Sequence, residues 1–93
     1  MPSVRIPTPL RKLSGDREEL TISATNVSEL IEGLEKECPG IKDRICDDEG
    51  NIRRFINLYV NNEDIRFLNG KDTELGENDN VSIIPAIAGG SLS

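Results

Sequence analysis

From residue 26 to residue 40 the chain reads NVSELIEGLEKECPG, and Val27, Leu30, Ile31 and Leu34 fall at i, i+3, i+4 and i+7. That spacing winds four apolar side chains onto one stripe and predicts an amphipathic helix lying on a core. Asn26 can accept from the amide three residues on while Glu29 reaches back, as in a capping box, and the CPG at 38–40 supplies the stop. Burying the four side chains contributes about 6 to 12 kcal/mol gross, at about 1.5 to 3 kcal/mol each, before the entropy of ordering the segment is subtracted.

Elsewhere the period shortens to two. SVRIPTP alternates Val4 and Ile6 until Pro7 and Pro9 remove backbone donors, and ELTISA repeats the alternation with Leu20 and Ile22, so the two segments predict a hairpin around a longer loop. Residues 41–54, IKDRICDDEGNIRR, read as an irregular charged connection, although Ile41 and Ile45 stand one helical turn apart. FINLYV predicts a central strand with Ile56, Leu58 and Val60 on one face, NNED a turn, and IRFL a short strand. VSIIPAI predicts the last strand, with Pro85 ending it near a sheet edge. The order is strand, strand, helix, strand, strand, strand. It suits an α+β domain of the β-grasp, or ubiquitin-like, type, with a mixed sheet of about five strands and one main helix across it.

At 93 residues the chain has room for one small core. We assign 1–88 to the domain and 89–93 to a flexible C-terminal tail. Eleven basic against seventeen acidic residues give a net charge of −6, the wrong sign for gripping a phosphate backbone, so nucleic acid is not an expected partner. The longest apolar run, IIPAIA, cannot span a bilayer, and the N-terminus lacks the apolar core of a signal peptide; the expectation is a cytoplasmic protein without a membrane partner. Cys38 and Cys46 then read as free thiols before a disulfide or redox pair.

There is no histidine in the chain. That removes the commonest general base and, with it, the Ser-His-Asp, Cys-His and HExxH constellations; a bound metal or cofactor is not expected either. Acidic pairs such as Asp47 with Asp48 lie in polar runs that read as solvated surface. The remaining unusual feature is the ending, IIPAIAGGSLS. From Pro85 to Gly90 an extended chain spans about 16 to 18 Å, enough to carry a terminus into another protein's active site. Lacking a Cβ, Gly89 and Gly90 make that terminus thin. GGSLS on its own also resembles a flexible linker.

The run LGENDNVSIIPAIAGG, residues 75–90, resembles the closing signature of the MoaD/ThiS family of ubiquitin-like sulfur carriers: leucine, an acidic turn, valine, alternating apolar residues, proline and Gly-Gly. Where the turn of that family often has glycine this chain has Asn78, which tolerates the left-handed conformation. RFINLYVNNEDIRF at 54–67 and the opening VRIPTPLRKLSG look like the CysO-type branch that serves cysteine biosynthesis.

The resemblance implies a carrier and not an enzyme. A ubiquitin-activating-like adenylating enzyme would use ATP to adenylate the Gly90 carboxylate, which a sulfur donor then converts to a thiocarboxylate. Ala88 and Gly89 would form the slender approach. An aminoacrylate on a pyridoxal-phosphate (PLP) dependent synthase would accept the sulfur. Molybdopterin, thiamine or another metabolite as destination, and ubiquitin-like attachment to proteins, remain open, as does a non-covalent β-grasp interaction module with an inert tail. Ser91, Leu92 and Ser93 depart from the family pattern, and removal by a JAMM-type zinc metalloprotease cleaving after Gly90 is expected. Phe67, Leu68 and Ile87 are candidates for an apolar surface that docks the activating enzyme, core packing being an equal reading for each.

Overall fold

The computed structural model describes residues 1–85. Its strands are β1 (Ser3–Arg5), β2 (Glu19–Thr21), β3 (Ile56–Val60), β4 (Glu63–Asp64) and β5 (Asn80–Pro85). They form one mixed sheet in the order β2-β1-β5-β3-β4, parallel between β1 and β5 and antiparallel at every other pairing. With a helix α1 (Val27–Glu37) contributing its stripe to the shared core, this is the expected β-grasp.

The register explains the core. Val4 pairs with Leu20 on one side and Val81 on the other, and Val81 pairs onward with Val60. The result is one apolar row, Leu20-Val4-Val81-Val60, across four strands, and every member is buried. Leu58 and Ile83 continue that face one step along the β3–β5 ladder. Val27, Leu30, Ile31 and Leu34 of α1 are all buried, as the helical spacing requires.

Four expectations need correction. The segment after CPG is not irregular throughout: Ile41–Ile45 form a short helix, α2. Five residues are too few to hold a helix alone. Ile41 and Ile45, both fully buried, anchor it, and the Glu35 carboxylate of α1 accepts from the amides of Gly40 (3.0 Å) and Lys42 (2.9 Å). Those two amides hold the Glu35 carboxyl below its usual range. The cap of α1 differs by one residue from a capping box. Asn26 Oδ1 accepts from the Glu29 amide (2.8 Å), but Glu29 reaches back to the amide and hydroxyl of Thr25, not to Asn26.

IRFL is not a strand. Asn61 and Asn62 turn the chain with positive φ, the paired residues are Glu63 and Asp64, and Ile65–Phe67 is a 3-10 turn started by Asp64, whose carboxylate accepts from the Arg66 amide at 2.9 Å. Finally, Pro85 lies in the middle strand of the sheet. It is tolerated there because β1 pairing stops at Arg5 opposite Ser82. Asn61 N donates to Asn80 O at 2.8 Å, so the alternation of an antiparallel ladder makes Pro85–Ile56 a pair without hydrogen bonds. The absent N–H of Pro85 thus faces the side where no strand continues.

Gly33 sits within α1, where alanine is ordinarily favoured by about 1 kcal/mol. Here a Cβ would stand 2.5 Å from Ile22 Cγ2, a buried and branched side chain that cannot swing aside. Gly33→Ala is therefore expected to destabilise the domain by about 1 to 3 kcal/mol in urea titration. In the double-mutant cycle with Ile22→Ala the loss from Gly33→Ala should largely vanish; an unchanged or stabilised single variant would show that the helix can lift off β2.

Candidate functional site

The site is defined by how the chain leaves the domain. β5 is interior to the sheet, paired by β1 over Asn80–Ser82 and by β3 from Val81 through Pro85. The loop before it is clamped as well. Asp79 Oδ2 accepts from the Gly76 amide at 2.7 Å, its Oδ1 accepts from Asn61 Nδ2 at 2.8 Å, and its carbonyl accepts from the Ser3 amide at 3.0 Å. Asn61 Oδ1 in turn accepts from the Asn80 amide at 3.0 Å. The strand is thus held at its start by side chains and by β1 over Asn80–Ser82, and from Val81 to Pro85 by β3. Its last described residue, Pro85, has a fixed position relative to the core.

Gly90, Gly89, Ala88, Ile87 and the Ser91, Leu92, Ser93 extension lie outside the described residues. Of the candidate docking residues that are described, Phe67 and Leu68 belong to the surface: Phe67 is 85% exposed and Leu68 38%, so the core reading is set aside for both. They follow the edge strand β4, two strands away from β5. Two further apolar residues, Ile84 and Phe55, are exposed and were not among the candidates. Their signal was phase. Ile84 pairs with Asn57 on the face opposite Val81 and Ile83, and Phe55 is out of step with Ile56, Leu58 and Val60.

Asn78 is not among the residues with positive φ, so its tolerance of the left-handed region is not used; the Asp79 carboxylate on Gly76 closes that turn instead. Cys38 and Cys46 are free and buried, and burial pushes both thiols up, away from the reactive thiolate. Among the described residues no group of three or more histidine, cysteine, aspartate or glutamate side chains could hold a metal, and no helix is long and apolar enough to cross a membrane.

A helix-backed mixed sheet with parallel first and last strands, from whose centre the chain exits, defines a ubiquitin-like β-grasp protein. The chain belongs to the ThiS family, whose model matches residues 4–90 and so closes on Gly90. It is 40% identical over 90 residues to the sulfur carrier protein CysO of Mycobacterium tuberculosis strain H37Rv, covering 95% of this chain and 97% of that one. The crystal structure of the Amycolatopsis orientalis BexX/CysO complex contains a chain that superposes with a TM-score of 0.90 at 39% identity, over 95% of this chain and 98% of that one. The crystal structure of Mycobacterium tuberculosis CysO superposes at 0.89 with 37% identity, over 94% and 100%.

The Asp79 clamp carries a pH signature. The Gly76 amide and then the Asn61 side chain hold its carboxyl below the ordinary range. With the folded value below the unfolded one, its stabilisation is complete above the unfolded value of about 3.9 and disappears as pH falls through the lower folded value. Asp79→Ala is expected to lose about 1 kcal/mol at pH 7 and to show a shallower loss of stability below about pH 4 than the parent, read from urea midpoints at several pH values. Equal pH slopes for parent and variant would remove Asp79 from this role.

Proposed function

We propose that this chain is a sulfur carrier whose working group is the carboxylate of Gly90, exposed once residues 91–93 have been removed. An adenylating enzyme joins that carboxylate to the α-phosphate of ATP and releases pyrophosphate. A sulfide-level donor then attacks the acyl carbon, AMP leaves, and the terminus becomes a thiocarboxylate with no change in the oxidation state of carbon or sulfur. The carrier contributes an anchored strand and a thin lead; the bond-making groups belong to its partners.

The observation that carries this reading is where the family match closes: on Gly90, the second glycine of the pair, with Ser91, Leu92 and Ser93 beyond it. Glycine at the last positions gives the least width for entry into a narrow channel, whereas Leu92 would have to be drawn in with the uncut tail. A JAMM-type zinc metalloprotease hydrolysing the Gly90–Ser91 bond would supply the free carboxylate. The CysO relatives support the carrier role; as its destination we take cysteine biosynthesis, with the thiocarboxylate sulfur adding to an aminoacrylate held by a PLP-dependent synthase.

Incubating the chain ending at Gly90 with its cognate adenylating enzyme, ATP and sulfide is expected to replace one oxygen by one sulfur in the intact mass. The chain ending at Ser93 should remain unmodified under the same conditions. Modification of the Ser93-terminated form, or of a chain lacking residues 89–93, would show that Gly90 is not the handle; the second result would leave a non-covalent module.

A further inference from the structure

An open groove of about 450 Å³ begins at the root of the tail. Pro9, Leu10, Ile56 and Pro85 line it together with Phe55, which is 61% exposed. Arg44, Arg53 and Arg54 complete it. Three of the seven arginines of a chain with net charge −6 therefore stand around one apolar hollow. Among the described residues the ion pairs are Arg11–Glu18, Lys42–Glu32 and Arg66–Asp64, so no carboxylate there neutralises the groove arginines. The acid in the lining, Asp47, is turned to local use: its Oδ1 accepts from the amides of Glu49 (2.9 Å) and Asn51 (3.0 Å). Arg53 is fixed by its Nε–H, which donates to the Asp43 carbonyl at 2.8 Å, leaving the outer nitrogens of its fork for another acceptor.

Reach decides what covers this groove. Gly90 stands five positions after Pro85, and an extended segment of that length spans at most about 18 Å. Any enzyme that receives the Gly90 carboxylate in an interior chamber must bring its own surface within that distance of Pro85, and Pro85 is a wall of the groove. We propose that this groove is the docking contact for a protein segment of the activating enzyme that presents carboxylates beside an apolar side chain. The carboxylates meet Arg44 and Arg54, and the apolar side chain lies against Phe55 and Pro85. This inference rests on the carrier reading above and names the chemistry of the partner at the entry to its channel. Arginines that have no carboxylate partner among the described residues also help to orient the encounter with an acidic segment.

Arg44→Glu/Arg54→Glu reverses the two arginines that make no described structural hydrogen bond. Lys12→Glu/Lys36→Glu makes the same change in net charge at exposed sites outside the groove. With the chain ending at Gly90 and the cognate adenylating enzyme, without ATP, the groove variant is expected to bind at least about tenfold more weakly at low salt and the control within about twofold of the parent. The deficit should shrink as salt is raised, and Phe55→Ala should weaken binding at every salt concentration. Circular dichroism and urea midpoints like those of the parent would exclude unfolding as the cause.

Equal binding by the groove variant and the parent overturns the proposal while leaving the carrier reading intact, provided the parent gains sulfur in the assay above. Failure of the parent both to bind and to gain sulfur overturns both. Saturable binding of inorganic phosphate to the chain alone, lost in Arg44→Glu/Arg54→Glu, would assign the groove to phosphate and overturn the proposal as well.

Discussion

The row Leu20-Val4-Val81-Val60 holds the domain together. Each member is buried and each touches the next across a different strand pairing, so the row joins the first hairpin to the last strand and the last strand to the middle of the chain. The apolar stripe of α1 has something continuous to cover only because this row exists. Val81 is the shared member, flanked by Val4 and Val60, and it lies in the strand that ends at Pro85. The strand that stabilises the domain is therefore also the one that fixes where residue 86 begins.

That coincidence gives the functional reading its physical content. A flexible lead is useful to another protein's active site only if its origin is rigid, since uncertainty at the root spreads the places the tip can reach. Here β5 is fixed at its start by two ladders and the Asp79–Asn61 clamp, and at Pro85 by its pairing with Ile56 of β3. The groove beside it adds orientation. In the proposed carrier, rigidity would come from the core and direction from the arginines, each from a different part of the sequence.

Much of this was legible in the residues. The 3.6-residue stripe of α1 and the two-residue alternation in β3 and β5 are strong because burial enforces them, and both were placed correctly. What escaped was structure made by contacts distant along the chain. α2 is too short to announce itself by period and depends on Glu35 from the preceding helix. The 3-10 turn at Ile65–Phe67 looked like a strand because three of the residues in IRFL are apolar, yet Asp64 diverts the backbone first. The groove could not be read at all: Pro9, Arg44, Phe55 and Pro85 share no period and meet only in the folded sheet. The exposed phase of Ile84 and Phe55 is present in the alternation, as the outward half of the same two-residue period.

The parallel pairing of the two ends has a consequence for biosynthesis. Val4 waits for Val81, 77 positions later, and a sheet closed by its first and last strands has almost no stable substructure to form early. During translation the hydrophobic row stays open until β5 has left the ribosome. A truncated product ending before β5 would lack the strand that joins the row, and quality-control proteases would meet it as an unfolded chain.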